Sequence, residues 1–289
     1  MIATKPSTAT TARSPRGSSV SSARRFHREC LLELKAAGFE TLVGGGYALE
    51  PYLGAGRQVK DLDLFVRPRD VERLLRHLDA RECRCERTFP HWLAKVQRGP
   101  HYIDVIFNGG NGACPVDDEW LLHGVPARVL DVDVRLCPPE EMIWSKAFVM
   151  ERERYDGADV AHLLRACADQ LDWARLTRRF DSHWRVLFSH LILFGFIYPS
   201  ERHRIPPDVM RRCLRLARHE MNEGTSPRIC RGTLLSRAQY LVDTNEWGYQ
   251  DARLMPHGVM TRHDASIWTA AIDEEESRPL TAVADDQPA

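Results

Sequence analysis

The sequence has no surplus charge of either sign: 40 Lys and Arg stand against 40 Asp and Glu. That balance argues against a chain held on nucleic acid by bulk charge, and leaves local basic patches open. It has no long hydrophobic run. The longest, Val186 to Tyr198, falls short of the ~20 residues a bilayer requires. It also holds Ser189, His190 and Gly195, so it reads as a buried core helix, with no membrane as partner. The first residues do not read as a secretory signal, so none is expected, and the eight cysteines are scattered. Buried reduced thiols in a cytoplasmic protein are expected, not a disulfide framework. Cys83 and Cys85, the one close pair, have the wrong spacing for a zinc knuckle, and alternation on a strand accounts for them. Several catalytic signatures are missing too. There is no His-Glu-x-x-His and no Gly-x-Ser-x-Gly, which leaves hydrolases of those classes unsupported. There is no Gly-x-x-x-x-Gly-Lys-Ser/Thr, and the third glycine of a dinucleotide site would fall at Leu49.

What is present is an ordinary globular composition over 289 residues, 43% hydrophobic and 28% charged. That length suits one large domain or two smaller ones. Residues 1–23, rich in Ser, Thr and Ala and free of acids, read as a disordered tail. From 24 to 137, short helices alternate with short β-rich runs. Phe26, Cys30, Leu31, Leu34 and Ala37 recur at helical spacing, and so do Val71, Leu74, Leu75 and Leu78. Strands are expected at 40–43, 61–66, 92–96 and 102–107. Alternating strands and helices indicate an α/β or α+β layer architecture. From 138 to 255 the pattern is helical, opening at Pro138-Pro139-Glu140-Glu141. Residues 256–289 read as a second tail, acidic at its end.

Three features carry chemistry. The first is the strand-to-helix turn Gly44-Gly45-Gly46. Glycine permits positive φ and close backbone approach, and a helix start offers unpaired N–H groups to phosphate. The second is Asp61-Leu62-Asp63, where strand alternation puts both carboxylates on one face and the leucines in the core. The third is Asp104, alone in the apolar run Tyr102 to Ile106. Two unit charges ~4 Å apart repel by about 4 kcal/mol at an effective dielectric of 20. Three carboxylates sharing a site therefore call for a cation. Mg²⁺ readily bridges carboxylates to phosphates, and two ions can clamp an in-line displacement. Asp131-Val132-Asp133 is an internal control: the same pattern with no glycine turn before it, read as surface.

Together, Gly44-Gly45-Gly46-Tyr47-Ala48-Leu49, then Arg57, then Lys60-Asp61-Leu62-Asp63-Leu64-Phe65-Val66, then Ile103-Asp104-Val105 resemble the nucleotidyltransferase superfamily of DNA polymerase beta. They are more closely similar to its small bacterial members. These include the aminoglycoside nucleotidyltransferases and the nucleotidyltransferases of toxin–antitoxin and abortive-infection systems. The resemblance implies a mixed sheet with flanking helices, followed by a helical domain, with the substrate cleft between them. It implies that the glycines cradle a nucleoside triphosphate, ATP among them. Asp61 and Asp63 would ligate Mg²⁺, two ions or Mn²⁺ in their place. Asp104 would ligate metal or act as base toward an acceptor hydroxyl. Lys146, on the helix after Pro139, would face phosphate, with Arg57 and Lys60 as further cations. The sequence departs from many members in having glycine where they have serine after the first glycine of the turn.

The activity this implies is transfer of a nucleoside monophosphate to a hydroxyl acceptor with release of pyrophosphate. The acceptor stays open among small molecule, RNA and protein. The alternative is a non-catalytic nucleotide-binding or toxin–antitoxin module on the same fold, which would have no need of three acids. The segment 231–251, dense in polar and aromatic residues, fits an acceptor wall or a packed cap equally. Asp156, Asp159 and His162 read as a polar helix face beside the cleft, and His190 as a satisfied core histidine. The arginines between 175 and 218 read mainly as solvated helix faces, with a basic wall for RNA as the sharper reading.

Overall fold

The computed structural model describes residues 16–54, 59, 61–222 and 227–276, with side chains from 22 to 271. Arg57 and Lys60 lie outside the described residues. The chain begins with α1 (Arg16–Ala36), β1 (Leu42–Val43), α2 (Gly45–Leu53), β2 (Leu62–Phe65) and α3 (Pro68–Asp79). Next come β3 (Arg84–Phe89), β4 (Leu93–Arg98), β5 (His101–Ile106), α4 (Asp118–Leu122), β6 (Val125–Val129) and β7 (Val132–Leu136). The helical part holds α5 (Pro139–Ala147), α6 (Gly157–Cys167), α7 (Trp173–Phe180), α8 (Trp184–Ile197) and α9 (Pro207–Glu220). The chain closes with β8 (Ile229–Cys230), α10 (Leu241–Asn245), β9 (Gln250–Asp251) and α11 (Arg262–Glu276).

Seven strands form one mixed sheet in the order β3-β4-β5-β2-β1-β7-β6. Hairpins make β3–β4–β5 and β6–β7 antiparallel, while β2 runs parallel to β5 and β1 parallel to β7. Strand alternation divides the sheet into two unlike faces. Leu62, Leu64, Ala94, Val96, Ile103 and Val105 are fully buried on one of them. α1 packs against β5 and β7, and α3 against β3. In α3, Pro68 starts the helix and Asp70 sits in its first turn; Val71, Leu74, Leu75 and Leu78 form the buried stripe. The opposite face presents Asp63, Lys95 and Asp104.

The sheet gives way to helices between Leu136 and Pro139. The helical part, interrupted by the short β8–β9 pair, is not a separate body. α2 packs on α6, and one hydrophobic cluster runs from Phe26 to Ala252.

Three expectations need correction. α1 begins at Arg16, so residues 16–23 are helix and not tail, and residues 1–15 lie outside the described residues. The stretch from 256 contains α11, whose Trp268 packs edge-on against Phe89 and Trp92. Acidic composition hid a helix that is anchored by one aromatic side chain. The apolar run of α8 is only half buried. Leu187, His190, Leu191 and Phe194 face inward, while Ile192, Phe196 and Ile197 are exposed, because neighbouring helices cover one side of it. Among the described residues, no helix is long and apolar enough to cross a membrane.

Candidate active site

β2 and β5 are parallel neighbours, and their register sets Asp63 directly beside Asp104. The glycine turn closes over this pair. The Gly44 N–H donates to the Asp63 carbonyl oxygen at 2.9 Å, which ties the turn to β2. Gly44 therefore anchors the turn and does not offer its N–H to phosphate. Gly45 has φ +52°, and a Cβ there would stand 1.6 Å from Asp63 Oδ2. Only glycine fits this position. Because the Ala48 N–H is bonded to the Gly44 carbonyl, the first-turn N–H groups of Gly45, Gly46 and Tyr47 are left at the helix start beside Asp63.

The site is crowded with negative charge. Burial, then Asp104, push the Asp63 carboxyl up to about 6, with Asp61 adding to the shift and Lys146 and Arg154 opposing it. Burial also raises Asp104, against the pull of Lys95, whose Nζ donates to Asp104 Oδ1 at 2.7 Å. Asp61 stands beside Tyr102. Burial and this neighbouring carboxylate, which accepts the phenol's hydrogen bond, push the Tyr102 hydroxyl up to about 12.

On the facing helices, Lys146 Nζ reaches Asp156 Oδ2 and Asp159 Oδ2, both at 2.9 Å. Arg154 grips Asp156 with two bonds of 3.0 Å. Burial works against ionisation of Asp156, but its bonds to Arg154 and Lys146 outweigh it and hold the carboxyl below its ordinary range. The polar face of α6 thus anchors a lysine.

A cleft of about 620 Å³ opens over these residues. Its floor is the sheet face with Asp63, Lys95 and Asp104, and one wall is α5 and the turn after it, with Ser145, Lys146 and Arg154. The other wall is residues 233–237 together with Trp268. The 231–251 segment therefore reaches the cleft through its first part, while Trp247 and Tyr249 are exposed elsewhere. Asp61 lies outside the cleft lining.

A family model described as an uncharacterised nucleotidyltransferase matches residues 29–193, more than half of the chain. The chain belongs to this nucleotidyltransferase family. No curated protein matches it. Among solved structures, the antibiotic-resistance factor ANT(2'')-Ia is similar over 59% of this chain and 97% of its own, at 18% identity and a TM-score of 0.41. The lincomycin-bound lincosamide antibiotic adenylyltransferase LnuA is similar over 48% and 94%, at 12% identity and a TM-score of 0.35. JHP933 from Helicobacter pylori is similar over 71% and 97%, at 12% identity and a TM-score of 0.37. Likeness this remote says nothing about an acceptor.

The matched stretch contains the glycine turn, all three acids and Lys146. Among the described residues, no three acids, histidines or cysteines converge as a ready-made metal cage. The chemistry of the donor set still fits a hard divalent cation: two adjacent carboxylates share the floor, and burial and then Asp104 push Asp63 up in spite of Lys146 and Arg154. The control pair is on the surface, with the side chains of Asp131 and Asp133 83% and 78% exposed. His190 is a satisfied core residue, its Nε2 bonded to the Ala147 carbonyl at 2.9 Å. Lys95 and Trp268 were not singled out from the sequence. The signal for Lys95 was a lone cation in an apolar strand; Trp268 gave only the three-residue spacing of Ala265, Trp268 and Ala271.

Proposed function

We propose that this nucleotidyltransferase moves a nucleoside monophosphate from a magnesium-bound nucleoside triphosphate to a hydroxyl of a small-molecule acceptor. The carrying observation is the Asp63–Asp104 pair, set side by side under Gly45 at the floor of the cleft. The N–H groups of Gly45, Gly46 and Tyr47 bind the triphosphate at the start of α2, with the helix dipole in their favour. Asp61 and Asp63 would hold Mg²⁺, which when bound neutralises the phosphates and the carboxylates together. Lys146 and Arg154 add positive field from the facing wall. Asp104, kept ionised by Lys95, takes the proton of the attacking hydroxyl. The acceptor oxygen bonds the α-phosphorus, the bond to the bridging oxygen breaks, and pyrophosphate leaves.

Aromatic side chains in the cleft support a small acceptor over RNA. The arginines of α7 and α9 do not line it. The test is label transfer from each α-³²P nucleoside triphosphate, with Mg²⁺ and fractionated cell extract. Wild type is expected to label one fraction, with Asp63→Asn and Asp104→Asn down by about 10²–10⁴. No transfer from any nucleotide, with nucleotide binding unchanged in both variants, would leave the non-catalytic binding module standing instead.

A further inference from the structure

At one end of the cleft the sheet and the C-terminal helix build an aromatic wall. Phe89 and Trp92 are stacked at 5.7 Å and 9°. Trp268 meets both rings edge-on, at 5.0 Å and 5.1 Å. The Arg237 guanidinium lies 4.2 Å from the Trp268 ring centre, and its Nε is 3.1 Å from Glu151 Oε1. All five residues line the cleft.

Charge at this end is already spent. Five acids and five bases line the whole cleft. Glu151 is paired with Arg237, Asp104 with Lys95, and Asp156 with Lys146 and Arg154. Arg84 and Glu86 face each other at 3.6 Å. The remaining acid, Asp63, belongs to the metal and nucleotide under the preceding proposal. A polycation would have to break these pairs to find anions, and a polyanion to find cations. A ring with an apolar face needs neither, because it gains contact with Trp268 and its neighbours without disturbing them.

We infer that this wall is the acceptor subsite and that it takes an uncharged, ring-bearing hydroxyl compound. The inference rests on the nucleotidyl-transfer reading for the word acceptor, while the ring site itself can be tested apart from it. The probe is 4-methylumbelliferone, a flat hydroxylated dye, at a slightly acidic pH where it is neutral. Its anisotropy is followed on titration with the full chain, and Mg-ATP affinity is measured separately. Saturable binding is expected, weakened roughly tenfold by Trp268→Ala, about 1.4 kcal/mol. Trp268→Phe should retain most of the affinity. Spermine and a short RNA should not displace the dye, and Mg-ATP affinity should be the same in every variant. Should Trp268→Ala not fold, Phe89→Leu takes its place. Absence of dye binding, indifference to these substitutions, or displacement by spermine or RNA overturns the inference. Failure of wild type to bind Mg-ATP counts against the transfer reading, with the ring site still judged by the dye.

Discussion

Gly45 combines a left-handed backbone with a side chain position already filled by Asp63 Oδ2. Gly45→Ala must therefore strain the turn and displace the carboxylate together. It is expected to cost about 1–3 kcal/mol of stability, read by urea unfolding, and to remove most transfer activity. Asp63 makes a different kind of statement. Its folded carboxyl sits at about 6, above the ordinary 3.8. A group raised in this way favours the fold fully below 3.8, and that contribution is lost as pH rises through about 6. Asp63→Asn should therefore raise the melting temperature at pH 8 while cutting transfer by about 10²–10⁴, and wild-type transfer should fall below about pH 6, as the proton competes with metal. A melting temperature unchanged in the variant would mean that Asp63 is not under strain. Lys95 acts on Asp104 in the opposite sense, holding its proton off. Lys95→Met should move the acid limb of the pH–rate profile upward, whereas a merely structural role would lower the rate at all pH values alike.

Between elements, α7 is held by apolar packing of Leu176 and Phe180 and by ion pairs to α5 and to the start of α4. Arg175 pairs with Glu140 at 2.5 Å, and Arg179 with Glu141 at 3.1 Å and Asp117 at 2.6 Å. Buried pairs of this kind gain little over apolar packing but are costly to break on one side. Glu141 is fully buried, and burial raises its carboxyl to about 7 in spite of Arg175 and Arg179. Its stabilising contribution is complete below its ordinary 4.5 and is lost as pH rises through about 7. Thermal melts between pH 5 and 8 should show falling stability, with Glu141→Gln flattening the slope. A slope the same in both proteins would locate the titrating group elsewhere. The network also sets the cleft, since α5 carries Lys146 and Ser145 into its wall.

For the whole molecule, equal numbers of acids and bases leave no net field to gather a polyanion. The structure takes the point further. Arg175, Arg179, Arg185 and Arg204 are engaged by Glu140, Glu141, Asp117, Glu220 and Asp169, and the arginines of α9 lie off the cleft. The chain should pass through heparin at about 0.15 M salt, where surface charges are screened beyond ~8 Å. Retention to high salt would reveal a basic wall and bring RNA back as an acceptor.

Short-range chemistry was legible in the residues themselves. Period-two alternation put Leu62 and Leu64 in the core and Asp63 on the opposite face, while Asp61 falls outside the cleft lining, and the spacing in 71–78 marked a helix with one apolar stripe. The glycine turn and the lone Asp104 stood out because each contradicts its local setting. What the sequence could not decide depends on pairing between distant segments. The β2–β5 register made Asp63 and Asp104 neighbours, the Lys95–Asp104 contact came from the adjoining strand, and Lys146 was claimed by two acids of the next helix. Trp268 was furthest out of reach. Its segment reads as an acidic tail until tertiary packing supplies Phe89 and Trp92, because a single aromatic anchor leaves little trace in local composition and derives its effect from the surface it meets.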